Sequence, residues 1–187
     1  FPEQYGGAGL SFLDLTILLE ETGRALLPGP FFSTVVLGGM AILDAGTDAQ
    51  KAEFLSGISS GQVIVTLALT EPSARWDAAG VQATAEATGD GYVISATKLF
   101  VPNANVSDYL LVAARTGESE RDVTLFITRS DAKGISQTLL KTIASDRQSE
   151  VVFDRVDVPA SAVVGEVNRG WDTIEKMVRW GAAGKCA

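Results

Sequence analysis

Histidine is absent from this sequence and cysteine occurs once, at Cys186. The absences exclude imidazole-dependent triads, zinc centres of the Cys/His kind and any internal disulfide. Positive charge is also in deficit: 15 Lys and Arg stand against 23 Asp and Glu, a formal net charge of -8. Binding to a phosphate backbone needs clustered cations, so nucleic acid is not expected as a partner. No apolar run approaches the ~20 residues that cross a bilayer, so no membrane span is expected, and no leader pattern opens the chain. Phe1 is not an initiator Met, and helical periodicity runs to the end without a stop, so the sequence reads as a soluble, cytoplasmic piece of something longer.

What is there is 187 residues, 46% hydrophobic and 20% charged, the balance of a globular chain with a sizeable core. Ser11 to Leu27 places Phe12, Leu15, Leu18, Leu19 and Leu26 near one helical face, with Ser11 in N-cap position. Phe31 to Leu43 reads as a second helix broken by Asp44-Ala45-Gly46, and Thr47 with Gln50 forms a capping-box pattern ahead of Lys51 to Leu55. From Gly61 the period changes. Val63 to Leu69 is apolar and β-branched, Val81 to Ala87 runs toward the hairpin signal Gly89-Asp90-Gly91, and Tyr92-Val93-Ile94 continues from it. Lys98 to Val101, Tyr109 to Ala114, Val123 to Thr128, Ile135 to Leu140 and Glu150 to Val158 follow as further strands between turn residues. Ile174, Met177 and Val178 then return to helical spacing. The fold expected is α+β: a helical N-terminal segment over 1–60, an antiparallel β-barrel or sandwich over 61–166, and the start of a C-terminal helix over 167–187.

Most candidate chemistry has an ordinary explanation. Tyr5-Gly6-Gly7-Ala8-Gly9 follows no strand and fits neither phosphate-binding glycine fingerprint, so it reads as a turn before a helix. Glu20-Glu21 and Glu118/Glu120 read as solvated carboxylates, and Ser56, Ser59 and Ser60 have no neighbour that would activate a nucleophile. One arrangement stands out. Thr70-Glu71-Pro72 ends an apolar strand and Lys98-Leu99-Phe100-Val101-Pro102-Asn103 follows a hairpin, so two strand ends can bring a hydroxyl, backbone amides and an aromatic ring together. Such a group suits a flat heteroaromatic ligand. Core packing is the competing account of Phe100.

Six segments in order carry a family resemblance: Phe-Pro-Glu-Gln-Tyr-Gly-Gly-Ala-Gly-Leu (1–10), Leu-Thr-Glu-Pro (69–72), Gly-Asp-Gly-Tyr-Val-Ile-Ser-Ala-Thr-Lys (89–98), Val-Val-Phe-Asp-Arg-Val-Asp-Val-Pro (151–159), Val-Val-Gly-Glu (163–166) and Gly-Trp (170–171). Together they resemble the acyl-CoA dehydrogenase family over nearly the whole chain. The resemblance implies a flavoprotein oxidoreductase of fatty-acid or lipid metabolism that uses FAD to desaturate an acyl-CoA thioester, passes electrons to electron-transfer flavoprotein, and assembles as a homo- or hetero-tetramer. Carried over by position, it implies that Leu67, Leu69 and Thr70 meet the flavin's pyrimidine edge, that Phe100 covers its face, and that Arg179 lies by the acyl-CoA site. The sequence departs from the family pattern at three places. Trp76 replaces a Ser expected near the FAD pyrophosphate, Pro102 replaces the Thr expected at flavin N5, and Val178 occupies one of the positions the family uses for its catalytic base. No catalytic base and no metal ligand is assigned, and the chain alone is expected to be inactive and to bind FAD weakly. The departures also admit a non-catalytic or flavin-poor subunit of a heteromeric acyl-CoA dehydrogenase.

Overall fold

A computed structural model describes residues 1–187. Its first helix, Phe12–Arg24, begins at a full capping box: the Ser11 hydroxyl accepts from the Asp14 N–H, and the Asp14 carboxylate accepts from the Ser11 N–H at 2.8 Å. The apolar face expected on this helix is only partly used. Leu19 is buried, Leu18 is half-exposed, and Leu26 lies beyond the helix end in left-handed conformation and open to solvent. The second helix is π-helical over Phe32–Gly39 and α-helical over Met40–Ala45, and it packs on the first strand of the sheet. Gly38 permits that packing, because a Cβ there would lie 2.9 Å from the side chain of Val65. The third helical stretch, residues 48–59, opens with the Thr47–Gln50 capping box. The Gln50 amide also donates to Ser161 and Val163 carbonyls at 2.9 Å each, tying the helices to the far end of the sheet.

Eight strands form one sheet: β1 (Val65–Ala68), β2 (Thr84–Ala87), β3 (Gly91–Pro102), β4 (Tyr109–Arg115), β5 (Val123–Arg129), β6 (Ile135–Leu139), β7 (Gln148–Pro159) and β8 (Val163–Val164). Their order is β6-β7-β3-β2-β4-β5-β8, with β1 paired to β4 beside that path. The sheet is largely antiparallel, but β1 runs parallel to β4, and β6 and β8 remain its unjoined ends, so of the barrel or sandwich expected the closed barrel does not form. The two stretches read separately as Tyr92 to Ile94 and Lys98 to Val101 belong to the single strand β3. Core position follows composition: Leu110 to Ala114 of β4 are all fully buried, as a strand covered on both faces requires.

The C-terminal helix, Gly170–Cys186, buries Trp171, Ile174 and Met177, whereas Val178, expected on the same face, is half-exposed. Its first turn meets β5 closely enough that a Cβ on Gly170 would stand 2.5 Å from the Leu125 nitrogen. No helix is long and apolar enough to cross a membrane.

Candidate functional site

The two strand ends singled out in the sequence do meet. Past the end of β1, the Thr70 carbonyl accepts from the Leu99 N–H of β3 at 2.8 Å, and within β1 the Thr66 hydroxyl donates to the Pro102 carbonyl at 2.6 Å. Leu67 is buried, Leu69 and Thr70 are half-buried, and all three lie along the chain that runs beside the end of β3.

A β-bulge shapes this end of β3. Lys98 pairs with Val151 of β7 and Val101 pairs with Ser149, so three residue steps on β3 oppose two on β7. The extra residue falls at Leu99–Phe100, and Phe100 takes up a left-handed backbone with φ of 54°. That conformation costs a non-glycine residue roughly 1–2 kcal/mol. Its consequence is that Phe100 leaves the alternation of the strand: Lys98 and Val101 point into the core and Phe100 is 55% exposed. Core packing is therefore not its role. A large aromatic ring is held at the surface on a backbone fixed from both sides.

Beneath the bulge lies a group that sequence reasoning missed. Lys98 is the largest fully buried side chain of the protein. Its ammonium donates to Glu71 Oε1 at 2.6 Å, to the Ala113 carbonyl at 2.7 Å and, more weakly, to the Leu69 carbonyl at 3.4 Å. Glu71, also buried, accepts in addition from the Gln82 N–H at 2.7 Å and the Ala83 N–H at 3.1 Å. Burial pushes the Lys98 ammonium below its ordinary pKa, and the Glu71 carboxylate opposes that shift. The one available signal was a lysine at the inward register of an otherwise apolar strand, which demands a carboxylate.

The other expected residues lie apart from this cluster. Trp76 sits on the loop between β1 and β2, 72% exposed, next to the Arg75–Asp77 ion pair. Arg179 projects from the C-terminal helix into solvent, and its ion pair is with Glu175 at 3.9 Å. Pro102 has no N–H, and its carbonyl is engaged by Thr66. A cavity of about 1000 Å³ lies elsewhere, under the opening segment, and is lined by Phe1, Phe12, Leu15, Leu18 and Phe31, among others. Thus three of the apolar residues of the first helix line a cavity, but not one that reaches Thr70 or Phe100. A smaller concavity of about 560 Å³ does reach the β3 end, lined by Pro102, Asn103, Ser33 and Phe32, among others.

The exposed ring of Phe100, on a strand end tied to Thr70 by the Leu99 N–H, suits one face of a planar heteroaromatic group. Pro102 fits less well, having no donor to give. Comparison with known proteins decides the relationship. The acyl-CoA dehydrogenase N-terminal domain profile matches residues 1–62, and the acyl-CoA dehydrogenase middle domain profile matches residues 66–156. The chain belongs to the acyl-CoA dehydrogenase family. Acyl-CoA dehydrogenase FadE26 of Mycobacterium tuberculosis is 33% identical over 184 residues, covering 95% of this chain and 46% of that protein. Butyryl-CoA dehydrogenase from Megasphaera elsdenii superimposes with a TM-score of 0.90 at 30% identity, over 98% of this chain and 51% of its own. The ChsE4-ChsE5 complex from Mycobacterium tuberculosis gives a TM-score of 0.84 at 30% identity, over 96% and 47%. The chain thus spans about half the length of the relatives it matches.

Proposed function

We propose that this chain forms the flavin-facing part of a cytoplasmic, FAD-dependent acyl-CoA dehydrogenase, an oxidoreductase that introduces an α,β double bond into an acyl-CoA thioester. FAD supplies the hydride acceptor and the route for electrons to electron-transfer flavoprotein. In this reading the Phe100 ring lies against the flavin face. Leu67 and Leu69 offer backbone groups and Thr70 a hydroxyl to the polar edge, Trp76 and Pro102 flank the cofactor, and Arg179 serves the acyl-CoA. Residues 1–60, 61–166 and 167–187 correspond to a partial N-terminal domain, the middle domain and the start of a C-terminal domain, within a tetramer. The observation that carries the reading is the exposed Phe100, held on a strained bulge one hydrogen bond from Thr70. A strained, exposed aromatic on a fixed strand end is a feature that folding alone does not favour.

The test is the absorbance spectrum of the protein expressed from its complete reading frame, recorded before and after addition of mixed acyl-CoA thioesters. An oxidised-flavin band that bleaches supports the dehydrogenase. A flavin band that never bleaches defeats it.

A second reading has its own observation. Pro102 can neither donate an N–H nor offer a hydroxyl, and Val178 gives no carboxylate on the C-terminal helix. These two residues favour a non-catalytic or flavin-poor subunit of a heteromeric acyl-CoA dehydrogenase, and the similarity to the ChsE4-ChsE5 complex supports that alternative. A colourless protein that acquires flavin only with a partner chain would select it, and turnover by a homo-oligomer alone would eliminate it.

A further inference from the structure

We infer that Lys98 and Glu71 are positioning residues for the cofactor face: their buried ion pair pins the register of β3 so that the Phe100 bulge and the Thr70 strand end meet a flat ligand in one arrangement. The inference rests on the flavin reading above and names what holds that site in shape.

Successive side chains of a strand alternate between faces, so a one-residue slip turns every side chain over. Without its bulge, β3 would relieve the left-handed backbone at Phe100 and return that ring to the regular alternation. The pair opposes this slip. The Lys98 ammonium reaches three acceptors on two segments: Glu71 and, more weakly, Leu69 just beyond the end of β1, and Ala113 in β4. Glu71 in turn accepts the N–H groups of Gln82 and Ala83, at the approach to β2. A slipped Lys98 would abandon Glu71 in the core, and an uncompensated buried charge is what such a fold tolerates least. Apolar residues of equal volume stabilise a core as well as a buried ion pair does, so fixing register is the better account of the pair here.

The test compares wild type with the double variant Glu71→Gln/Lys98→Met, both expressed from the complete reading frame. The variant removes both charges but keeps the side-chain volumes and an acceptor for Gln82 and Ala83. Hydrogen exchange is read at the Leu99 amide, which donates to Thr70, against the Leu111 amide as an internal reference, and FAD dissociation constants are measured by flavin fluorescence. The expected result is a folded variant in which Leu99 exchanges at least tenfold faster, Leu111 is unchanged, and FAD binds at least tenfold more weakly. If both proteins keep Leu99 protection and FAD affinity within twofold, the positioning role is overturned while the flavin reading survives. A wild type that binds no FAD overturns the flavin reading and the cofactor role together. Should the double variant fail to fold, Glu71→Asp keeps both charges but withdraws the carboxylate by one methylene. It should loosen Leu99 and weaken FAD several-fold, and unchanged values would overturn the inference equally.

Discussion

Removing Lys98 alone should be among the most damaging single changes in this chain. In Lys98→Met the Glu71 carboxylate stays buried with only the Gln82 and Ala83 N–H groups for company. Deleting one partner of a buried pair costs about 3–5 kcal/mol. An independent ceiling comes from proton uptake: at pH 7, neutralising a carboxylate from its ordinary pKa of about 4.3 costs roughly 3.7 kcal/mol. The two routes agree on a loss of about 3–4 kcal/mol, a large share of the ~5–15 kcal/mol that stabilises a typical domain. The reverse change, Glu71→Gln, should be milder. Lys98 can shed its proton, and burial already lowers its pKa, so the ceiling of about 4.6 kcal/mol set by an ordinary lysine is not reached. Urea unfolding followed by circular dichroism at pH 7 measures both losses. A deficit below about 1 kcal/mol for Lys98→Met would refute the reasoning.

For the wild type, Asp14, Asp77, Asp131, Asp146 and Asp172 all have pKa values lowered, chiefly by side-chain hydrogen bonds from Ser11, Arg75, Arg129, Thr142 and Arg169 respectively. Their contribution is present above the unfolded value of about 3.9 and lost as pH falls through the lowered folded values, and without histidine little else titrates between pH 5 and 7. The melting temperature should therefore be flat from pH 7 to 5 and decline below pH 4; a decline beginning near pH 6 would contradict this. Gly170→Ala should destabilise by about 1–3 kcal/mol, because its Cβ meets backbone of β5, and an unchanged urea midpoint would show that the helix can shift freely. Pro102→Thr restores an N–H and a hydroxyl beside Phe100 and should tighten FAD binding by up to about tenfold, the worth of one net hydrogen bond; weaker binding in a folded variant would argue that Pro102 is not at the flavin.

Much of this architecture could be read from local patterns, because local patterns fix it. The Thr47–Gln50 box and the Ser11 cap are decided within four residues, and both form. The apolar runs of β4 and β5 mark strands covered on both faces, which is where they lie. What the sequence hid depends on partners far along the chain. The parallel pairing of β1 with β4 joins Val65 to Tyr109, and neither segment alone shows direction. The bulges appear in the sequence only as broken alternation: Val151 and Phe153 are buried, then Val156 and Val158, with Arg155 taking a left-handed backbone between them. β3 itself breaks twice: the shift between Ile94 and Ala96 falls in the gap between the two short strands read from the sequence, and the second break, at Phe100, lies inside the Lys98 to Val101 stretch.

The departures from ordinary strand behaviour are concentrated at that second break. Within six residues β3 and its continuation hold a buried lysine, a left-handed phenylalanine, a proline and a left-handed asparagine, Asn103, whose amide reaches Ser33 of the second helix. β4 and β5, buried along nearly their whole length, contain none of these. A sequence selected only to fold would disperse or remove such conflicts, since each lowers stability and none improves packing. Their concentration at the one strand end that meets Thr70 identifies this end as the part of the sheet whose shape answers to something other than the core. The Lys98–Glu71 pair then has a physical task that an apolar core would not perform: it makes the slipped, relaxed register more costly than the strained one.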